Sequence, residues 1–371
     1  MPTRSAFAQR SALTLDRLVL LALLAALAMP HALAAQSCVL TRLDSPVMNA
    51  FHGNFSGAAR WQVDLGWRYG YSFRHFVGTD EQEERLAEHS QVVNNVNIAD
   101  LSVRYNVSQR LSFAMAVPYT MANRDGGLRN SSGHVVKRYT RSETSGIGDV
   151  TLVGKWLVRN PLQPQRSNLS LGLGVKLPTG DYKQKETRLS LVNGSEVRST
   201  AVADYSVQPG DGGYGIILES SGYSVLGNSG ALAGYASGTY IVTPQADNGV
   251  VRPGAAPHEE KVSVTDQYVA RLGVQIGPRS WRGFSVGIGG RLEGIPVHDL
   301  VGSSEGRRRP GYIASVEPSF SYTRGSQSIS FAMPWAVERN RQRSVADLAN
   351  GGHGDAAFPD YVVLSSYSFR F

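Results

Sequence analysis

Between Tyr361 and Phe371 the side chains change character at almost every step, and this last stretch narrows the possible folds more than any other. Phe371, Phe369, Tyr367, Val363 and Tyr361 share one parity, while Arg370, Ser368 and Ser366 share the other. A strand points successive side chains to opposite faces, so this one has an aromatic face and a polar face. At the margin of an open sheet it would be an exposed edge inviting aggregation. Pairing with the first strand removes that edge and closes the sheet into a barrel.

The strongest alternation lies in that first strand. Trp61, Val63, Leu65, Trp67, Tyr69, Tyr71 and Phe73 face Gln62, Asp64, Gly66, Arg68, Gly70, Ser72 and Arg74 across the pleat. Both ends are aromatic, as where rings sit at the two water interfaces of a bilayer. A second strand is expected over 91–106, with a bulge near Ile98 because Val96 and Ile98 fall on the wrong parity. Further strands are expected over 111–121, 147–159, 168–180, 212–225 and 230–243, the alternation of 212–225 slipping between Leu218 and Tyr223. Others run outward through Tyr268 and Ile276, Phe284 and Leu292, Tyr312 and Tyr322, and Ile329 and Val337.

The connections alternate strictly. Short turns such as 107–110 and 324–327 fall on one side, and long loops such as 122–146, 181–210, 244–265 and 338–359 on the other. A soluble barrel has no reason to keep every long loop on one side. The pattern predicts an all-β fold, a 12-stranded antiparallel transmembrane β-barrel of outer-membrane type. Each strand reaches the roughly 9 to 11 residues that a tilted span needs.

Composition agrees. Forty glycines and 17 prolines accompany an absence of helical periodicity. Residues 1–34 read as a signal peptide: Arg4, Arg10 and Arg17 precede an apolar run over 18–29, and Ala32-Leu33-Ala34 supplies the small residues of a cleavage site. That run is shorter than the roughly 20 residues of a membrane-spanning helix. Residues 35–57 form a tail outside the barrel or a plug within it, and 58–371 the barrel. The net charge of +7 falls to +5 when three arginines and Asp16 leave with the leader, too little and too scattered for nucleic acid. Cys38 stands alone, so no internal disulfide forms.

If the apolar parity meets lipid, the other lines the lumen. The lumen candidates are Asp64, Arg68, Asp100, Arg104, Asp149, Lys155, Lys176, Arg271, Arg291, Glu293, Glu317 and Arg370, joined by Arg74 and Glu338. Charges confined there must pair or meet water, and Asp64 is the expected partner of Arg370. Twelve strands enclose a bore between the filled eight-stranded case and the open sixteen-stranded one, which suits a narrow path for small solutes. The loop arginines Arg307, Arg308, Arg309, Arg339, Arg341 and Arg343 are expected to fold over the mouth or to bridge lipopolysaccharide phosphates.

Gly146-Ile147-Gly148-Asp149-Val150, followed by Leu169 to Leu177 and then Pro178-Thr179-Gly180-Asp181-Tyr182, resembles the "GxGD" strand and "K-x-P-T-G-D" strand end of the outer-membrane family labelled MetA-pathway of phenol degradation. The resemblance implies a barrel in the outer membrane of a Gram-negative bacterium, engaged in uptake of small, often aromatic, compounds, with no catalytic residues and no cofactor. The terminal Phe371 similarly resembles the signal read by barrel-insertion machinery. Implied partners are outer-membrane lipid, lipopolysaccharide and a small-molecule solute. On the residues themselves, Pro178 stands where a strand stops donating ladder bonds, and Thr179-Gly180-Asp181 is a turn signal. Two other readings stay open: a structural or adhesion barrel, and an outer-membrane lipid hydrolase. The second needs a His and Ser held by a third polar group, for which His75, or His298 with Asp299 and Ser303, are the candidates. No His, Cys or carboxylate cluster has metal-binding spacing, and Gly287-Ile288-Gly289-Gly290 is strand rather than phosphate loop.

Overall fold

The computed structural model describes residues 59–160 and 166–371. The leader, the tail or plug and Cys38 therefore lie outside the described residues. The chain forms β1 (Trp61–Val77), the two-residue β2 (Asp80–Glu81), β3 (Val93–Asn106), β4 (Leu111–Arg129), β5 (Val135–Ile147), β6 (Thr151–Leu157) and β7 (Ser167–Lys176). Next come β8 (Lys185–Val192), β9 (Ser195–Val202), β10 (Gly215–Leu226), β11 (Leu232–Val242), β12 (Asp247–Val251), β13 (Lys261–Ser263) and β14 (Gln267–Ile276). The last are β15 (Phe284–Ile295), β16 (Gly311–Arg324), β17 (Gln327–Ala332), β18 (Trp335–Arg341) and β19 (Ala356–Arg370).

Twelve staves close into an antiparallel barrel: β5 with β6 make one interrupted stave, and β17 with β18 another. The seam is the one the terminal alternation demands. β19 pairs with β1 from Gln62 opposite Arg370 to Phe76 opposite Ala356, and Trp61 and Phe371 exchange two backbone hydrogen bonds of 2.9 Å. Among the described residues, the short turns lie at the end that carries Trp61 and Phe371, the turn end; the opposite rim is the loop end. β8 with β9, and β12 with β13, are small hairpins outside the barrel ladder.

The outer surface is apolar between two aromatic girdles. Leu65, Leu101, Met115, Leu173 and Ile288 are 44–63% exposed, far more large apolar surface than a water-soluble wall carries. Trp61 meets Tyr105 at 4.6 Å and Phe369 meets Phe371 at 5.5 Å at the turn end. Trp335 meets Tyr361 at 5.0 Å toward the other rim.

Four local expectations are corrected. There is no bulge at Ile98: β1 and β3 stay in unbroken register from Trp61–Tyr105 to Ser72–Asn94, and Val96 and Ile98 simply face inward, buried. β10 does not slip either; it pairs continuously with β11, so Tyr223 points inward. The polar stretch 122–146 is mostly a hairpin, β4 running to Arg129 and β5 returning from Val135, so the fourth stave starts far before residue 147 and breaks at 148–150. Glu338 is not a lumen residue: β18 shifts register between Ala314 and Ser315, which puts Glu338 opposite outward Ala314, where it accepts a hydrogen bond from Tyr312.

Candidate functional site: the lumen

The inner wall carries a layer of ion pairs about halfway along its length, buried except for the half-buried Lys155–Glu219. Arg68 donates twice to Asp100, at 3.0 and 3.1 Å, from β1 to β3. Lys155 on β6 meets Glu219 on β10 at 2.6 Å, although β7 runs between them. Gly172 of β7 makes this possible, since a Cβ there would sit 3.0 Å from the Glu219 Cβ and 3.3 Å from Val153. On the far wall Arg271 of β14 donates to Glu317 of β16 at 2.9 Å across β15, whose Arg291 lies 3.6 Å from Glu317 and 2.6 Å from Glu293. Such pairs are costly to bury and more costly to break. They fix which strand lies beside which.

Nearer the turn end, one row crosses three strands: Arg104 on β3, Gln62 on β1 and Arg370 on β19. The register puts Gln62, not Asp64, opposite Arg370. Asp64 stands one row deeper, accepting from the Gln62 amide at 2.7 Å and from the Ser368 hydroxyl. Arg104 is buried with no acceptor at its Nε. Asp64, Arg68, Asp100, Arg104, Lys155 and Glu219 enclose a cavity of about 70 Å³, room for a few waters.

One row toward the loop end the wall changes character. Val153, Ile217, Ile241 and Val269 form a buried apolar cluster directly above the Lys155–Glu219 and Arg271–Glu317 pairs. Ala332, Val362 and Leu364 form another on the seam side. Tyr235, also inward, lies over Gly273 and Gly289 with the Arg271 guanidinium 6.0 Å from its ring. The alternation of the sequence did not disclose these patches, because it assigns every inward position to the polar parity. The visible signal was the pair of apolar residues, Val96 and Ile98, on the supposedly polar face.

The loop end is occupied by the chain itself. Val207, fully buried, and Ala203 come from the loop after β9 and join Val96, Ile98 and Ala122 in one cluster. Thr144 donates its hydroxyl to the Val207 carbonyl. Asp204 is clamped by Arg309, at 2.8 and 2.6 Å, and by Arg124 at 3.4 Å. Burial pushes the Asp204 carboxyl up, but Arg124 and Arg309 outweigh it and hold it well below the usual carboxylate range. The neighbouring arginines are engaged likewise: Arg307 with Glu259, Arg308 with Asp299, Arg339 with Asp360 and Arg341 with Asp347. These five, each paired with a loop or rim carboxylate, knit the loops over the mouth. Arg343 donates to the Gly352 carbonyl, and Arg74 joins Glu81 and Asp360 at the same rim.

The motif residues converge on one node in the wall. Asp149 accepts from the backbone N–H of Gly180 and of Asp211, both at 3.0 Å, and Lys176 lies 3.9 Å from Asp149 while pairing with Asp211. Thr179 donates its hydroxyl to Gly148 at 2.8 Å and accepts from Val150. Gly180 and Gly210 touch so closely that a Cβ on Gly180 would stand 2.6 Å from the Gly210 Cα. Asp149 and Lys176 thus hold the loop 177–214 to the barrel rather than lining the bore. His75 is also occupied: its Nδ1 meets Asp355 at 2.5 Å and its Nε2 accepts from the Val92 N–H at 2.9 Å, leaving neither ring nitrogen for a serine.

No family model matches the sequence, and no curated protein matches it. Solved structures do. An outer membrane channel from Pseudomonas putida F1 superposes with a TM-score of 0.57 at 13% identity, over 89% of this chain and 100% of that one. The Pseudomonas putida toluene transporter TodX superposes with a TM-score of 0.45 at 11% identity, over 91% and 99%. The fold of this chain is therefore that of the outer-membrane β-barrels.

Proposed function

We propose that this protein is a passive outer-membrane channel for small apolar compounds, aromatic ones among them. The observation that carries the reading is the lumen's inner apolar lining, Val153, Ile217, Ile241 and Val269 on one stretch of wall and Ala332, Val362 and Leu364 on the seam side, above a narrow ionic layer. An apolar solute leaving water gains roughly 25 cal/mol for each Å² it buries against such patches. A porin for polar nutrients has no use for them. The fold shared with an outer membrane channel and the likeness of the Asp149 and Lys176 motif to the phenol-degradation family support the same reading. Residues 1–34 serve export, the strand ending at Phe371 addresses the chain to the insertion machinery, and the aromatic girdles sit in outer-membrane lipid.

Uptake of radiolabelled phenol and toluene by a deletion strain, with and without the gene restored, tests the proposal. Restored cells should take up both faster at low external concentration. Equal uptake in both strains, together with purified protein that passes no current in planar bilayers, would overturn it.

A further inference from the structure

We infer that the turn end of the lumen holds a binding site for the carboxylate of a small apolar acid, with the Arg104 guanidinium as its anchor. The inference rests on the channel reading above and deepens it. The charge balance of the inner wall leads there. Arg68 is matched by Asp100, Lys155 by Glu219, and Arg271 and Arg291 together by Glu317 and Glu293. At the turn end two guanidinium groups, Arg104 and Arg370, share one nearby carboxylate, Asp64. That carboxylate also accepts from Gln62 and Ser368, and Arg370 is itself engaged, so Arg104 is the guanidinium short of an acceptor.

Arg104 is only 7% exposed, its Nε has no acceptor, and its side chain borders the cavity. A buried guanidinium N–H without an acceptor, as at the Arg104 Nε, is costly unless something supplies one. Its planar fork matches a carboxylate in bidentate fashion. The ligand's apolar body then meets Val153, which lines the same cavity and follows Arg104 and Ala114 along one hydrogen-bonded row, with Ile217 beyond it. One end apolar and one end anionic describes an aromatic or short alkyl carboxylate. The excess positive charge also drains such solutes toward the turn end, where a bare apolar compound feels no pull.

Planar bilayers containing the full barrel separate the possibilities, with potassium benzoate set against potassium chloride and benzyl alcohol as the neutral comparator. Native protein should favour benzoate over chloride in its reversal potential. Arg104→Gln should cut that preference about tenfold, the loss of one charge-assisted pair, and Arg104→Lys should restore part of it. Block of the chloride current by benzyl alcohol should be the same in all three. Heat-resistant migration on gels confirms that each variant is folded. If benzyl alcohol blocks but benzoate shows no preference, or Arg104→Gln leaves the preference intact, the carboxylate site is wrong while the channel reading stands. If neither compound affects the current, the channel reading falls as well.

Discussion

The two ends of the lumen are assembled by different means. At mid-wall the charged side chains sit where their own strands put them, and Arg68, Lys155 and Arg271 each meet a partner one or two staves away. At the loop end the same bore is filled by side chains that arrive from far along the chain: Arg309 reaches Asp204 across 105 residues and Arg124 reaches Ser206 across 82. The first arrangement is fixed by the ladder and can move only with the barrel. The second depends on a loop's docking and can come and go while the barrel stands. On the channel reading proposed above, the docked loop would gate one end of the bore and the ionic wall would filter at the other.

That contrast is easiest to break at the ionic layer. Glu317→Ala leaves Arg271 and Arg291 facing each other with only Glu293 between them, and should cost roughly 3–5 kcal/mol, read as a lower urea midpoint in detergent. A loss below about 1 kcal/mol would mean that water already shields this layer as it does a surface pair. Asp149→Ala releases two backbone donors and should cost about 3 kcal/mol. Its mark is local: proteolysis within 177–214 should quicken well before the barrel unfolds. Val207→Ala removes apolar contact from the plug, worth about 2 kcal/mol of docking, and should raise the open population about 30-fold, seen as longer-lived large conductance steps.

Acid should distinguish the ends in the same direction. Asp204 and Asp355 are both held below the usual carboxylate range, Asp355 by the His75 hydrogen bond and the charges of His75 and Arg85 against an opposing cost of burial. A depressed folded value contributes stability that is complete above the unfolded value of about 3.9 and drains away as pH falls below it. Conductance should therefore rise below about pH 4 through loop release, with the barrel intact on gels. The smallest effect belongs to the exposed pair Lys137–Glu196, 48% and 39% exposed: Lys137→Ala should change stability by less than about 1 kcal/mol.

How far the sequence could be read follows the same division. The closing strand, the twelve staves and the inward placement of Arg68, Asp100, Arg271 and Glu317 all follow from period-two alternation, because the ladder converts parity into direction without outside help. The apolar residues of the lumen were hidden by that very rule. Val96 and Ile98 break parity only if the interior is assumed polar; they are satisfied by Val207 and Ala203, which no strand pattern places beside them. Glu338 was misplaced because a register shift at Ala314 leaves no trace in the alternation of β18 itself.

The node at Asp149 has a consequence for how the barrel is put together. Its two oxygens reach Gly180, just beyond β7, and Asp211, just before β10. A slip of one residue between β6 and β7 would carry Gly180 about 3.3 Å along the strand and turn every side chain of β7 to the wrong face. Asp149 would then find nothing to hold. The carboxylate thus acts as a gauge on assembly: the loop can lock onto the wall only when three neighbouring staves have been laid in true register, so a barrel that closes with the wrong alignment is left with its mouth unfastened.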